Sequence, residues 1–120
     1  MELKVIKVKP GRKPIDTVIN IKDDIIYVKD KKGSELHLVN INNKRLKMLE
    51  LEKKIVIIYI EPIFDYDNIA YDIEGYPMEK NQVINEVSIY GDFIIVGYIN
   101  GKYTSLKEQN IEKYINKLSI

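Results

Sequence analysis

The chain has 120 residues, 45% of them hydrophobic, and a formal net charge of +1 at pH 7. This length suits one domain, and the apolar fraction is too high for a disordered chain. Cysteine is absent, which excludes a disulfide framework and a thiolate metal site. The first residues contain no apolar signal-peptide core, and no apolar run approaches the ~20 residues of a membrane helix. We therefore expect a cytoplasmic protein that does not enter a membrane.

Charge is unevenly divided along the chain. Residues 1–54 hold fourteen Lys and Arg against eight Asp and Glu, whereas residues 55–120 hold five against ten. A basic half can contact phosphates, and an acidic half can contact a protein partner. Lysines also keep exposed strand edges from pairing with other chains, and that explanation needs no ligand.

The first forty residues are typical of two β-hairpins. Residues 3–9 and 15–21 are rich in Val and Ile and flank a turn over residues 10–14, which begins with Pro10 and Gly11. Residues 25–28 and 36–41 repeat this arrangement around a turn at residues 31–34. Aliphatic β-branched runs bounded by Gly and Pro predict strands joined by tight turns.

The middle of the chain predicts a short helix and then a central strand. Asn42 and Asn43 are suitable caps for a helix over residues 44–53, where Leu46 and Leu49 share one stripe. The alternation of Leu49, Glu50 and Leu51 would also suit a strand. Residues 55–60 are continuously apolar, which favours a strand buried on both faces. A short strand at residues 69–73 and a turn at residues 74–77 follow.

The C-terminal third combines a second buried strand, a turn and a helix. Residues 93–99 are apolar without alternation, and Asn100-Gly101 suits a type I′ turn. Ser105 and Glu108 have the spacing of a capping box. The helix that follows has one apolar face, because four large residues recur at i, i+3, i+4 and i+7: Ile111, Tyr114, Ile115 and Leu118.

These segments predict one α+β domain over residues 1–120. It consists of a mostly antiparallel, curved sheet of hairpins, with the short middle helix and the C-terminal helix packed on it. Residues 1–41 form the two N-terminal hairpins, and residues 42–120 form the α+β core. Two fully apolar strands further indicate a sheet that is covered on both faces or wrapped into a partial barrel.

The sequence carries no recognisable catalytic constellation. There is no G-x-G-x-x-G, no phosphate loop and no nucleophile elbow, and the one histidine, His37, lies between Leu36 and Leu38 in an alternating strand. The acidic stretch from Glu61 to Glu79 fails as a calcium loop, because Ala70 stands where glycine is required. We therefore expect a protein that is not an enzyme and that has no cofactor and no metal site.

Tyrosine is the conspicuous residue of the second half. Tyr66, Tyr71 and Tyr76 fall in irregular chain close to Asn81. Amphipathic rings on irregular backbone suit a binding surface for a ligand or a partner, and we predict that these four residues contribute to one. The structural alternative is that tyrosine is common strand material and that Asn81 is a turn residue.

Several segments resemble an uncharacterised family of small domains carried by phages and mobile elements of Firmicutes. The resemblance covers about residues 43–114. It rests on Asp72-Ile73-Glu74-Gly75-Tyr76-Pro77, on Gly91-Asp92-Phe93-Ile94-Ile95-Val96-Gly97 and on Tyr103-Thr104-Ser105-Leu106. Family members usually begin with one hairpin around a Pro-Gly turn, whereas this chain has two. The family has no assigned catalytic residues; what it implies is an accessory protein inside a Gram-positive host cell.

Three functions are compatible with these patterns. The first is a non-catalytic binding protein of a phage or mobile element that acts on a host protein, a component of a host defence system being one such target. The second is a protein that binds or sequesters a small ligand such as a nucleotide, through tyrosines and a few basic residues. The third is nucleic-acid binding through the basic half. An unpaired sheet edge would also suit a homodimer.

Overall fold

A computed structural model describes residues 2–29 and 32–118, which form twelve strands and one helix. The strands are β1 (Glu2–Val8), β2 (Ile15–Lys22), β3 (Ile25–Lys29), β4 (Glu35–Asn40), β5 (Leu46–Glu52), β6 (Ile55–Ile60), β7 (Ile63–Phe64), β8 (Ala70–Tyr71), β9 (Lys80–Ile84), β10 (Val87–Tyr90), β11 (Phe93–Ile99) and β12 (Lys102–Thr104), and the helix is α1 (Glu108–Lys117). None of the described helical residues belongs to a helix long and apolar enough to span a membrane.

Eight of these strands form one antiparallel sheet. Its order is β4-β3-β2-β1-β11-β6-β5, and β12 pairs with the end of β11. The four N-terminal strands are therefore a meander whose first member, β1, lies beside β11 in the middle of the sheet. The sheet curls strongly into a half-barrel. This confirms the prediction of a mostly antiparallel, curved sheet with a C-terminal helix.

Both faces of the sheet carry an apolar core, and of the two arrangements that the continuous apolar runs predicted the half-barrel is the one observed. On the inner, concave face, strands from across the sheet share one core. Its buried members are Leu3, Val5, Ile19, Ile26, Val28, Val39, Val56, Ile58, Ile94 and Val96. On the outer face, β1, β6 and β11 pack against α1 and the β9–β10 hairpin. That core contains Ile6, Val8, Ile55, Ile57, Ile84, Ile89, Phe93, Ile95, Leu106, Ile111 and Tyr114.

The predicted middle helix is wrong, because residues 46–52 form strand β5. Asn43 caps a turn instead, since its side-chain oxygen accepts a hydrogen bond from the backbone N–H of Arg45 at 2.8 Å. β5 then pairs with β6. Without β5, one of the two edges of β6 would have no hydrogen-bond partner. A register irregularity between Glu50 and Glu52 breaks the alternation of β5. Leu46 and Leu49, which a helix would place on one stripe, pack on opposite faces of the sheet, Leu46 against the inner core and Leu49 against the outer core.

The C-terminal helix lies where its apolar stripe predicted, but its first turn is held differently. Ile111 and Tyr114 are buried in the outer core. Lys107 is the N-cap residue and makes no side-chain capping bond. The hydroxyl of Ser105 instead accepts from the backbone N–H of Lys4 at 3.0 Å, and Glu108 pairs with the Lys4 ammonium at 2.9 Å. The predicted capping box is therefore wrong, because the side chains of Ser105 and Glu108 both bind Lys4 of strand β1.

Candidate interaction surface

Residues 61–79 form an arm that stands apart from the large sheet. Its short strands β7 and β8 pair with each other through Ile63–Tyr71 and Phe64–Ala70. Ala70 is buried, and the ring of Phe64 lies edge-on against Tyr90 with the ring centroids 5.5 Å apart. These contacts fasten the base of the arm to the rest of the fold, while most residues of its two turns are exposed to solvent.

The two turns of the arm repeat one hydrogen-bond pattern. In the first, the carboxylate of Asp65 accepts from the backbone N–H groups of Asp67 and Ile69, both at 2.9 Å. In the second, the carboxylate of Asp72 accepts from Glu74 at 2.9 Å and from Tyr76 at 3.0 Å. The fourth residue of each turn has a positive φ: 61° at Asn68 and 88° at Gly75. This backbone conformation suits asparagine and glycine.

Both turns present large apolar side chains to solvent. The second and fifth positions are Tyr66 and Ile69 in the first turn, and Ile73 and Tyr76 in the second. Tyr66 is fully exposed, and Ile73 and Tyr76 are 73% and 66% exposed. Because the backbone of each turn is held by its own hydrogen bonds, this exposure comes from a defined conformation. Such preorganisation lowers the entropy cost of binding.

The arm is also acidic throughout. Residues 61–79 contain six carboxylates and neither Lys nor Arg. Asp65 and Asp72 are engaged in the turns, and Glu61 lies 3.7 Å from Arg45 and 3.9 Å from Lys47. Asp67 and Glu74 occupy the third position of each turn, directly after the exposed Tyr66 and Ile73. Each tip therefore offers one large apolar side chain beside one carboxylate.

The four predicted contact residues lie in different environments in the structure. Tyr66 and Tyr76 are exposed on the two turns, and Tyr71 is half-buried at the base of the arm. Asn81 lies in β9, where its amide donates to the carbonyls of Val8 at 3.1 Å and Gly91 at 2.9 Å. Those two bonds fasten β9 to the end of β1 and to the turn that precedes β11. The amide group of Asn81 is thus used within the fold.

Sequence reasoning missed the aliphatic members of this surface. Eleven large apolar side chains are exposed among the described residues, and six of these lie within residues 63–76. They are Ile63, Phe64, Tyr66, Ile69, Ile73 and Tyr76. The repeated five-residue pattern of residues 65–69 and 72–76, in which aspartate is followed two positions later by another acid, could have revealed them. An aspartate at the start of such a pattern favours a turn over a strand.

Other groups that the sequence singled out lie elsewhere. His37 is exposed, with its ring 6.2 Å from that of Tyr27. Several lysines of the N-terminal hairpins are paired with carboxylates: Lys22 with Glu35 at 2.9 Å, and Lys29 with Glu2. Hydrogen bonding to Lys22 holds the pKa of Glu35 below its ordinary value. Within the described ranges, no group of three His, Cys, Asp or Glu residues is placed to hold a metal ion.

Replacing Asp65 by asparagine should lower the pKa of Tyr71. Burial, followed by hydrogen bonding to the Asp65 carboxylate and by its charge, raises that pKa above the ordinary tyrosine value. The pKa of Tyr71 is higher in the folded protein than in the unfolded chain, where it is about 10. The contribution of Tyr71 to the free energy of unfolding is therefore complete below a pH of about 10 and is lost as pH rises through the folded pKa. Asparagine retains an oxygen for the turn but removes the charge. An NMR titration of the Tyr71 ring measures the change.

Asp67→Asn is the matched control for this titration. It removes a carboxylate from the same turn, yet the carboxylate that raises the pKa of Tyr71 is that of Asp65. An equal decrease in both variants, or none in Asp65→Asn, would contradict the assigned contact.

Comparison of the chain with protein-family models, with curated proteins and with solved structures gives no match. The resemblance to the family of phages and mobile elements therefore stays a prediction.

Proposed function

We propose that this chain is a non-catalytic binding protein whose arm, residues 61–79, docks on a basic and partly apolar surface of another protein. The observation that carries the proposal is the concentration of exposed apolar side chains on the two hydrogen-bonded turns. Contiguous exposed apolar groups rimmed by polar ones are typical of protein interaction sites. Aromatic residues are also the ones most enriched at the energetic centre of such sites.

Charge supports a basic partner surface. The arm presents carboxylates without a compensating Lys or Arg of its own. Complementary charge accelerates association and selects partners more than it adds affinity. The family resemblance would place this partner in the bacterial host of a phage or mobile element, and a component of a defence system is the target that we propose to test first.

The test compares the arm with other exposed apolar residues outside it. Tagged protein is used to capture partners from a Gram-positive host lysate, and the dissociation constant is then measured with each purified partner. We expect Tyr66→Ser/Ile73→Ser to raise that constant by at least about 100-fold, since two central contacts are lost. The control is Met48→Ser/Val83→Ser, which alters side chains that are 43% and 54% exposed.

Two results would overturn the proposal. One is a partner that binds the arm variant as tightly as the unmodified protein. The other is an equal loss of affinity in the control variant, which would indicate a general effect of surface polarity. Association with a basic surface should also slow as salt is raised, because salt screens the charges of the arm.

A further inference from the structure

A cleft of about 560 Å³ opens at one end of the half-barrel, beside the turn that joins β1 to β2. Strand register shows which side chains face it. Thr17 is the cross-strand partner of Val5 of the inner core, and Leu36 is the cross-strand partner of Val28. Cross-strand partners point to the same face of a sheet. Lys7 follows Val5 by two residues and therefore faces the same side, as does Ile15 opposite it.

The walls of this cleft are apolar at the bottom and at the rim. Val28 belongs to the buried inner core. Ile15 and Leu36 are 51% and 53% exposed, although both lie in strands of the large sheet. Inner-face residues of a curled sheet are expected to be covered. These two aliphatic side chains are therefore open to an occupant of the cleft.

Two ammonium groups lie along one side. The side chain of Lys7 is only 14% exposed, and its nitrogen is 3.6 Å from an oxygen of Asp92, which is longer than a charge-assisted hydrogen bond. Lys9 also borders the cleft and is exposed. Its ammonium forms no ion pair with any residue that the structure describes. Asp16 borders the cleft as well, but alternation along β2 directs its carboxylate to the outer face, where its cross-strand partner Ile6 also lies.

We propose that this cleft binds a single-chain amphiphilic carboxylate of the fatty-acid class. The carboxylate lies between Lys7 and Lys9, and the hydrocarbon chain lies along Ile15, Val28 and Leu36. The volume is within the usual range of small-molecule sites, roughly 300–1,000 Å³. A nucleotide fits less well, because none of the lining residues is aromatic and the base would have no ring on which to stack.

The proposal predicts a dependence on both the head group and the tail of the ligand. Dodecanoate, kept below its micelle-forming concentration, is titrated into the protein and followed by calorimetry and by methyl NMR. We expect one saturable site that binds dodecanoate at least about tenfold more tightly than dodecyltrimethylammonium or butyrate, because each control lacks one of the two contacts. Equal binding of either control, or no saturable binding, would overturn the proposal.

Variants locate the site. Lys9→Gln should weaken dodecanoate binding by about threefold and Ile15→Ser/Leu36→Ser by about tenfold, since the first removes one exposed charge and the second two apolar contacts. Lys13→Gln, which changes an exposed lysine outside the lining of the cleft, should leave binding unchanged.

The methyl NMR shifts distinguish binding in the cleft from binding to the exposed arm. Binding in the cleft moves the signals of Ile15, Val28 and Leu36. Movement of Ile63 and Ile73 alone would place the amphiphile on the arm and overturn the proposal. An equal effect of Lys13→Gln and Lys9→Gln would do the same, since it would indicate attraction to general positive charge.

Discussion

Replacing Ile95 by alanine is expected to lower the free energy of unfolding by about 2–5 kcal/mol. Ile95 is fully buried in the outer core, in the middle of β11. Its neighbours in the sheet are Ile6 of β1 and Ile57 of β6, which are themselves fully buried. Truncation therefore leaves a cavity walled by residues of three central strands, whose backbones are held by hydrogen bonds and cannot collapse into it.

Ile99→Ala is the matched control on the same strand. Ile99 is 38% exposed at the end of β11, so its truncation leaves no enclosed cavity. Denaturant unfolding of the two variants measures the difference. An equal cost for both would mean that β11 is not the buried centre of the sheet.

Gly97→Ala is expected to cost about 1–3 kcal/mol, although alanine has the higher strand propensity. Gly97 is buried opposite Thr104 of β12. A methyl group built on it would lie 2.9 Å from the carbonyl oxygen of Thr104 and closer still to the hydroxyl. β12 would have to move away, and with it the segment that leads into α1.

The double variant Gly97→Ala/Thr104→Ala tests this mechanism. Removing the hydroxyl relieves the closest contact but leaves the carbonyl in place, so thermal unfolding should show a partial recovery relative to Gly97→Ala. Thr104→Ala alone provides the baseline of the cycle. Strictly additive effects would show that the two residues do not clash.

The strands at the centre of the sheet could be predicted from the sequence because they are continuously apolar. Ile55–Ile60 and Phe93–Ile99 are apolar at every position apart from Gly97, and burial on both faces favours such a run. Asn100 and Gly101 have φ values of 51° and 78°, as the predicted turn requires. In each case the local pattern and the tertiary environment agree.

The errors arose where a distant strand decided the outcome. The spacing of Leu46 and Leu49 suits a helix and that of Leu49 and Leu51 suits a strand, and pairing with β6 selects the strand. Ser105 and Glu108 have the correct spacing for a capping box, but Lys4, about a hundred residues earlier, binds both side chains. Neither contact leaves a signal in the nearby sequence.

The candidate sites could be predicted from the sequence only in part. Exposed tyrosines were expected on irregular backbone, and Tyr66 and Tyr76 are found there. Exposed isoleucines such as Ile73 were not expected, because an aliphatic residue is assigned by default to the core. Lys7 likewise resembles the polar member of an alternating strand, although the curl of the sheet brings it beside the apolar cleft.

The place of β1 in the sheet has a consequence for how the chain folds. β1 pairs with β2 through a short local turn, but its other neighbour, β11, comes about ninety residues later. During synthesis the N-terminal meander can form early, yet one apolar edge must wait until β11 leaves the ribosome. Sheets that depend on such long-range pairing fold slowly and are prone to aggregate in the interval. The rate of translation from β2 to β11 therefore sets how long that edge is available to other chains.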